Sequence, residues 1–211
     1  MGWRHSGMLD HAQGGFVLGQ DQQGFSLIEL MVTIAIFSML LLAAMPSFSG
    51  WIANARVRSV AEEIANGLRI AQSEAVRRNR PVAFVLTNNT PAKSATPSDN
   101  GKNWYVQALP LASSSETAAD SDYVQGGNYA SQSGVTISGT SSVCFGSMGN
   151  LTATAAVKAT VIGAACSDGA QTYTVSRTGA DRSLKVVLGV GGQVRMCDPT
   201  KTLSTTTPDG C

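Results

Sequence analysis

Gly24-Phe25-Ser26-Leu27-Ile28-Glu29 opens an apolar run that continues through residue 45 and holds a single ionisable side chain, Glu29. An apolar stretch of that length predicts a membrane-spanning helix. A carboxylate inside such a helix is costly and marks a functional position. Glu is too short to snorkel to the head groups as Lys or Arg would. Glu29 therefore either stays near the interface or meets a positive partner, because an unpaired charge in hydrocarbon favours any group that neutralises it.

Working outward, the helical pattern continues beyond Pro46. Val57, Val60, Ala61, Ile64, Leu68, Ala71 and Ala75 recur at three- and four-residue steps as one apolar stripe. Arg56, Arg58, Glu62, Glu63, Arg69, Glu74, Arg77 and Arg78 fill other positions. Pro81 forces Arg80 out of helix and ends the element. One helix over residues 25–79 is expected, roughly 80 Å long at 1.5 Å per residue. Its first half is apolar all round and its second half must pack on something. Pro46 removes a backbone hydrogen bond and is the expected kink, with Gly50 weakening the helix nearby. Beyond residue 81 the period shortens. Residues 82–86, 104–109, 135–138, 142–145, 172–177, 184–188 and 193–197 read as strands between Gly, Pro, Asn and Ser. Gly191-Gly192 reads as a hairpin turn, and residues 152–162 as a weaker strand. Residues 88–103 and 112–133 read as loops, the second acidic through Glu116, Asp120 and Asp122. The fold class is α+β: a long N-terminal helix whose amphipathic half lies on an antiparallel sheet.

The residues Gly24-Phe25, Glu29 and the apolar helix behind them resemble the cleavage and methylation signature of type IV pilins and type II secretion pseudopilins. Within that class the chain is similar to the GspH/FimT (FimU-like) group of minor subunits. The resemblance is carried by residues 57–63, by Leu68-Arg69-Ile70-Ala71-Gln72-Ser73-Glu74-Ala75-Val76-Arg77-Arg78-Asn79 leading into Pro81-Val82, and by residues 192–199 with a final Cys211. It is weakest over residues 88–170. It implies that a prepilin peptidase cuts after Gly24 and methylates the Phe25 amine, and that Glu29 meets the Phe25 amine of a neighbouring subunit as a filament grows. Pro46 falls at the family's usual kink position. The implied partners are the peptidase, other minor and major pilins or pseudopilins, and the inner membrane. The implied placement is a single-pass inner-membrane protein with its C-terminal domain periplasmic, and extracellular or periplasmic once in a filament. The expected organisation is a leader over 1–24, a membrane and filament-core half-helix over 25–45, an amphipathic half over 46–80 and a β-rich domain over 81–211. The implied role is priming filament assembly at the tip of a type IV pilus or a secretion pseudopilus.

The leader departs from that pattern. It is long, with Arg4 accompanied by Asp10 and Asp21, and positive residues are denser after the apolar run, at Arg56 and Arg58. Charge bias alone leaves the orientation ambiguous. Three readings stay open: a start at Met8, a long leader, or export through a signal-peptidase site at Ser47-Phe48-Ser49. Cys144, Cys166, Cys197 and Cys211 all follow the membrane segment, and an even count there favours two disulfides in an oxidising compartment. Spacing alone allows three connectivities; the pairing expected is Cys144 with Cys166 and Cys197 with Cys211, because each closes a local loop. The spacings do not match a zinc site.

Little else offers chemistry. Both histidines, His5 and His11, lie in the leader, so a chain cut after Gly24 has none. That removes His-dependent catalysis and metal binding. No phosphate-binding loop or nucleophile elbow is present. No catalytic residue, cofactor or metal is expected, and the chain does not read as an enzyme. The second function expected is DNA binding by a minor pilin acting in DNA uptake. Arg177, Arg182, Lys185, Arg195 and Lys201 lie in one C-terminal stretch whose acids are Asp181 and Asp198. On adjacent strands they could contact phosphates. DNA-binding relatives resemble Gly-Arg-x-Arg at this place, whereas Gly192-Gln193-Val194-Arg195 keeps only the second cation. The competing reading is a solvated sheet face. Trp104, Tyr105 and Tyr129 either stack on bases or pack in the core and loops.

Overall fold

The computed structural model describes residues 24–128, 134–154 and 157–211, with the side chains of 43–47 outside the description. The leader up to residue 23 and Tyr129 therefore lie outside the described residues, as does the Pro46 side chain at the expected kink. The chain divides between Ala44 and Met45 into two units.

In the first unit, α1 (Leu27–Arg78) begins two residues after Phe25. The Ser26 carbonyl accepts the first helical hydrogen bond, from the Leu30 N–H at 3.1 Å. The side chains from residue 27 to 42 are all exposed. Its two hydroxyls turn back onto the backbone: Thr33 donates to the Leu30 carbonyl and Ser38 to that of Ile34. No polar group but Glu29 is thus left to seek a partner outside the helix. Among the described residues no helix is long and apolar enough to cross a membrane. The expected span over 25–45 is described only as far as the Leu42 side chain.

The second unit is built on the amphipathic half of α1. Ala53, Val57, Val60, Ala61, Ile64, Ala65, Leu68, Ala71 and Ala75 are buried, the three- and four-residue spacing of one helical face. The helix ends in a Schellman motif. Asn79 takes a left-handed φ of 49°, its N–H bonds the Val76 carbonyl, and the Arg80 N–H bonds that of Ala75. Pro81 follows and cannot continue the helix.

Two four-stranded antiparallel sheets follow. β1 (Val82–Thr87), β2 (Asn103–Ala108), β3 (Asp122–Asn128) and β5 (Ser142–Phe145) form one, in the order β3-β2-β1-β5. β4 (Val135–Ser138), β6 (Gln171–Arg177), β7 (Leu184–Leu188) and β8 (Val194–Cys197) form the other, in the order β4-β6-β7-β8. The α1 stripe, Phe84, Leu86, Trp104 and Val106 of the first sheet, and Tyr173, Val175, Val186 and Leu188 of the second share one core. β1 and β2 are buried on both faces. Their far face, Ala83, Val85 and Tyr105, packs on Val157, Ala159, Ile162 and the Cys144–Cys166 disulfide. The β7–β8 connection closes with Gly192 at φ 86°, a conformation natural to glycine.

Two expectations are corrected. Residues 112–133 are not all loop, because β3 runs through Asp122-Tyr-Val-Gln-Gly-Gly-Asn. Its glycines lower strand propensity, and pairing with β2 holds it nonetheless. Residues 152–162 hold no strand among the described positions; a 3-10 turn at Ala159–Val161 carries Ala159 against the back of β1 and β2. An apolar run that only covers a sheet has the same composition as one that joins it.

Candidate functional site

Gly24 and Phe25 precede α1 in non-helical backbone, and Phe25 is 84% exposed. A peptide bond in exposed, extended chain can enter a protease cleft, whereas one inside the helix could not. Glu29 lies in the first turn of α1, exposed. The unsatisfied N–H groups at a helix start favour a carboxylate there. The described apolar side chains that follow, from Leu30 at 56% to Leu42 at 69%, are exposed and find no cover among the described residues. They need lipid or neighbouring helices around them.

The four cysteines form two disulfides. Cys144 pairs with Cys166 (Cα–Cα 5.4 Å) and Cys197 with Cys211 (5.1 Å). The second ties the chain end to the edge strand β8, helped by the Asp198 N–H to the Asp209 carbonyl at 2.7 Å.

The five C-terminal cations do not share one field. Arg177 follows Tyr173 and Val175 on the core-facing side of β6, and its Nη1 is buried with no hydrogen-bond partner. Arg182 donates to Asp198 at 3.1 Å, where the carboxylate is 3% exposed. Lys201 is ion-paired with Asp209, and Arg195 Nη1 donates to the Gly210 carbonyl at 3.2 Å. The register places Val187 opposite Arg195, and strand alternation then sets Lys185 and Arg195 on one outer face. Asp198 is held below the usual carboxylate range, first by the Thr200 hydroxyl and N–H and then by Arg182. Trp104 and Tyr105 are buried core residues, so neither is placed to stack on a base.

The cations at the end of α1 are likewise engaged internally. Glu74 accepts from Arg77 and Arg78, which lower its pKa to about 2. Arg78 also reaches Asp122 at 3.0 Å, and Arg80 reaches Glu116 at 2.6 Å. These pairs fasten the acidic connection to the helix. Glu63 on α1 faces a groove beside β3. The sequence shows it only as one polar residue among several on the helix. Its surroundings come from strands far along the chain.

A helix that opens with Gly-Phe and a first-turn Glu, exposes an apolar half and lays its other half on antiparallel sheets defines a pilin-type subunit. Residues 19–45 match the prokaryotic N-terminal methylation motif, and residues 60–192 match the Type II transport protein GspH family. The chain belongs to the GspH family, which groups type IV minor pilins with type II secretion pseudopilins and whose members are structural subunits, not enzymes. The methylation motif implies processing by a prepilin peptidase and anchoring in the inner membrane before assembly. Over 97 residues the chain is 36% identical to the Type IV major pilin protein PilE1 of Neisseria gonorrhoeae, a match covering 46% of this chain and 43% of that one. The chain thus spans under half the length of that curated relative. Among solved structures it is similar to the type IV minor pilin FimU of Pseudomonas aeruginosa, with TM-score 0.46 and 16% identity, covering 69% of this chain and 93% of that one. It is also similar to the minor pseudopilin EpsH of the Vibrio cholerae Type 2 Secretion System, with TM-score 0.44 and 12% identity, covering 69% and 99%.

Proposed function

We propose that this chain is a minor pilin or pseudopilin that is cut between Gly24 and Phe25, N-methylated on Phe25, and assembled at the tip of a type IV pilus or secretion pseudopilus, where it primes filament growth. The observation that carries this is the solvent-exposed apolar half of α1, whose one charged side chain among the described residues is Glu29, close to the cleavage junction. Such a surface is stable in lipid or among like helices. Exchanging one for the other leaves the carboxylate as the recognition element. The Phe25 amine of a neighbour neutralises it at the moment the helix leaves lipid. In this reading residues 1–24 are the leader, 25–45 the half-helix that moves from bilayer to filament core, 46–80 the amphipathic half with Pro46 at its start, and 81–211 the domain held outside the membrane. The domain is periplasmic before assembly, and periplasmic or extracellular after it.

The test is Glu29→Ala in the producing bacterium. The variant should be processed and remain in the membrane fraction, yet be absent from complexes with other pilin-type subunits. Recovery of Glu29→Ala in those complexes at the normal level would reject the mechanism. DNA reception is the second reading, carried by Lys185 and Arg195 on one outer sheet face.

A further inference from the structure

A groove of about 610 Å³ runs between α1 and β3. Glu63, Asn66 and Ser73 line it from the helix, Trp104 from behind, and Gln125 and Gly126 from the strand. Among the described residues β3 is the edge of its sheet, so the groove opens beside an edge strand.

Glu63 is partly buried there, and among the described residues it forms no ion pair. Its carboxylate accepts the Trp104 indole N–H at 3.4 Å. Arg69 also lines the groove, but its guanidinium is engaged elsewhere than at Glu63: Nη1 donates to Asn66 Oδ1 at 3.3 Å and Nη2 to the Val194 carbonyl at 3.4 Å. Burial pushes the Glu63 pKa up, against the smaller opposing effect of Trp104. A desolvated carboxylate with one long hydrogen bond is destabilised in its charged form. The backbone is nevertheless shaped around it. A Cβ on Gly127 would overlap Glu63 Oε1 and Trp104 Nε1. If the carboxylate served only to satisfy the indole, a neutral amide oxygen would do so without the desolvation cost. The negative charge is the part of Glu63 that the fold itself does not use.

We propose that this groove is a socket for a lysine or arginine side chain of a neighbouring pilin-type subunit, with Glu63 as its ion-pair partner. The proposal rests on the filament-subunit reading above. The fit is one of charge: the groove presents a carboxylate without an ion-pair partner among the described residues, with oxygens of Ser73 and Gln125 within the same walls to take the remaining donors of an ammonium or guanidinium. A cation entering from a neighbour would relieve the desolvated charge, so the pair would form only on assembly.

The test combines thermal melts of the purified full chain with its recovery, after cross-linking in the producing bacterium, in complexes with other pilin-type subunits. Glu63→Gln keeps the acceptor for Trp104 and removes the charge. It should melt at or above the wild-type temperature, while recovery falls about tenfold, as loss of a desolvated charge pair predicts. Gln125→Lys, which offers the groove an ammonium from its own chain, should lower recovery similarly. Glu63→Lys should regain recovery when a Lys or Arg of the contacting subunit is changed to Glu. Wild-type recovery of both Glu63→Gln and Gln125→Lys would overturn the socket. So would a Glu63→Gln melt several degrees lower, which would make the carboxylate structural. If the wild-type chain itself is missing from such complexes, the filament reading fails and the socket with it. If wild type is present, Glu29→Ala absent and Glu63→Gln present, only the socket fails.

Discussion

Gly24 sits where the chain has not yet become helix, and the absence of a side chain leaves the Gly24–Phe25 bond uncrowded on its N-terminal side. A branched side chain there would occupy the space a peptidase needs. Gly24→Leu is expected to leave an uncleaved precursor, visible as a higher-mass band; mature-size protein would count against cleavage at this bond. Glu74, lowered from 4.5 to about 2 by Arg77 and Arg78, and Asp198, lowered chiefly by Thr200, both have folded pKa values below their unfolded ones. Their contribution is therefore present above the ordinary carboxylate range and lost as pH falls through the folded values. Glu63 is shifted the other way, so protonating it removes a penalty. Melting temperature should hold from pH 7 to about 5 and then fall between about 4.5 and 2, the Glu74 window. A melting temperature that rises as pH falls from about 7 toward about 4.5, the side of the ordinary value on which Glu63 takes up its proton in the folded chain, would show that the Glu63 penalty governs stability there.

α1 joins two different helices in one element. One half shows apolar side chains on every side, while the other hides a single stripe ending at Ala75. Both patterns are local periodicities, which is why residues 25–79 could be read as helix and why the observed element is Leu27–Arg78. Leu68 lies fully buried at the middle of the stripe. Leu68→Ala should cost roughly 3 kcal/mol and lower the melting temperature by about 10 °C; a shift under about 2 °C would mean the helix does not carry this core. The strands were legible where β-branched residues alternate or cluster, as at Val135–Ser138 and Leu184–Leu188. β3 was not, because its Gly126-Gly127 carries no strand signal. Close packing against Pro91, Trp104 and Glu63, which a larger residue would prevent, explains the glycines.

Across the whole molecule the charges are mostly engaged within the chain. Arg182 and Lys201 are ion-paired with Asp198 and Asp209, whereas Arg195 gives only Nη1 to the neutral Gly210 carbonyl, so Lys185 and Arg195 are the candidate phosphate contacts on the outer face. Two phosphates neutralised on duplex DNA give a slope of about −1.8 in log affinity against log salt. A salt titration should show that slope or a shallower one, and Arg195→Ala should reduce it by about one unit. A slope of about −3.6 would mean that Arg182 and Lys201 leave their partners for DNA. The sequence by itself determined the family, the long helix and the strands other than β3, because a Gly-Phe junction, a lone Glu in an apolar run and a helical stripe are signals contained within a few turns of chain. The cysteine spacing left three pairings, and the basic stretch left its geometry open. Only the tertiary structure decided which cations are engaged, how the cysteines pair, that residues 157–162 cover the back of β1 and β2, and that Glu63 faces a groove. Each of these depends on residues that folding brings together from distant segments, such as Glu63 with Trp104, 41 positions apart, or Arg69 with Val194, 125 apart.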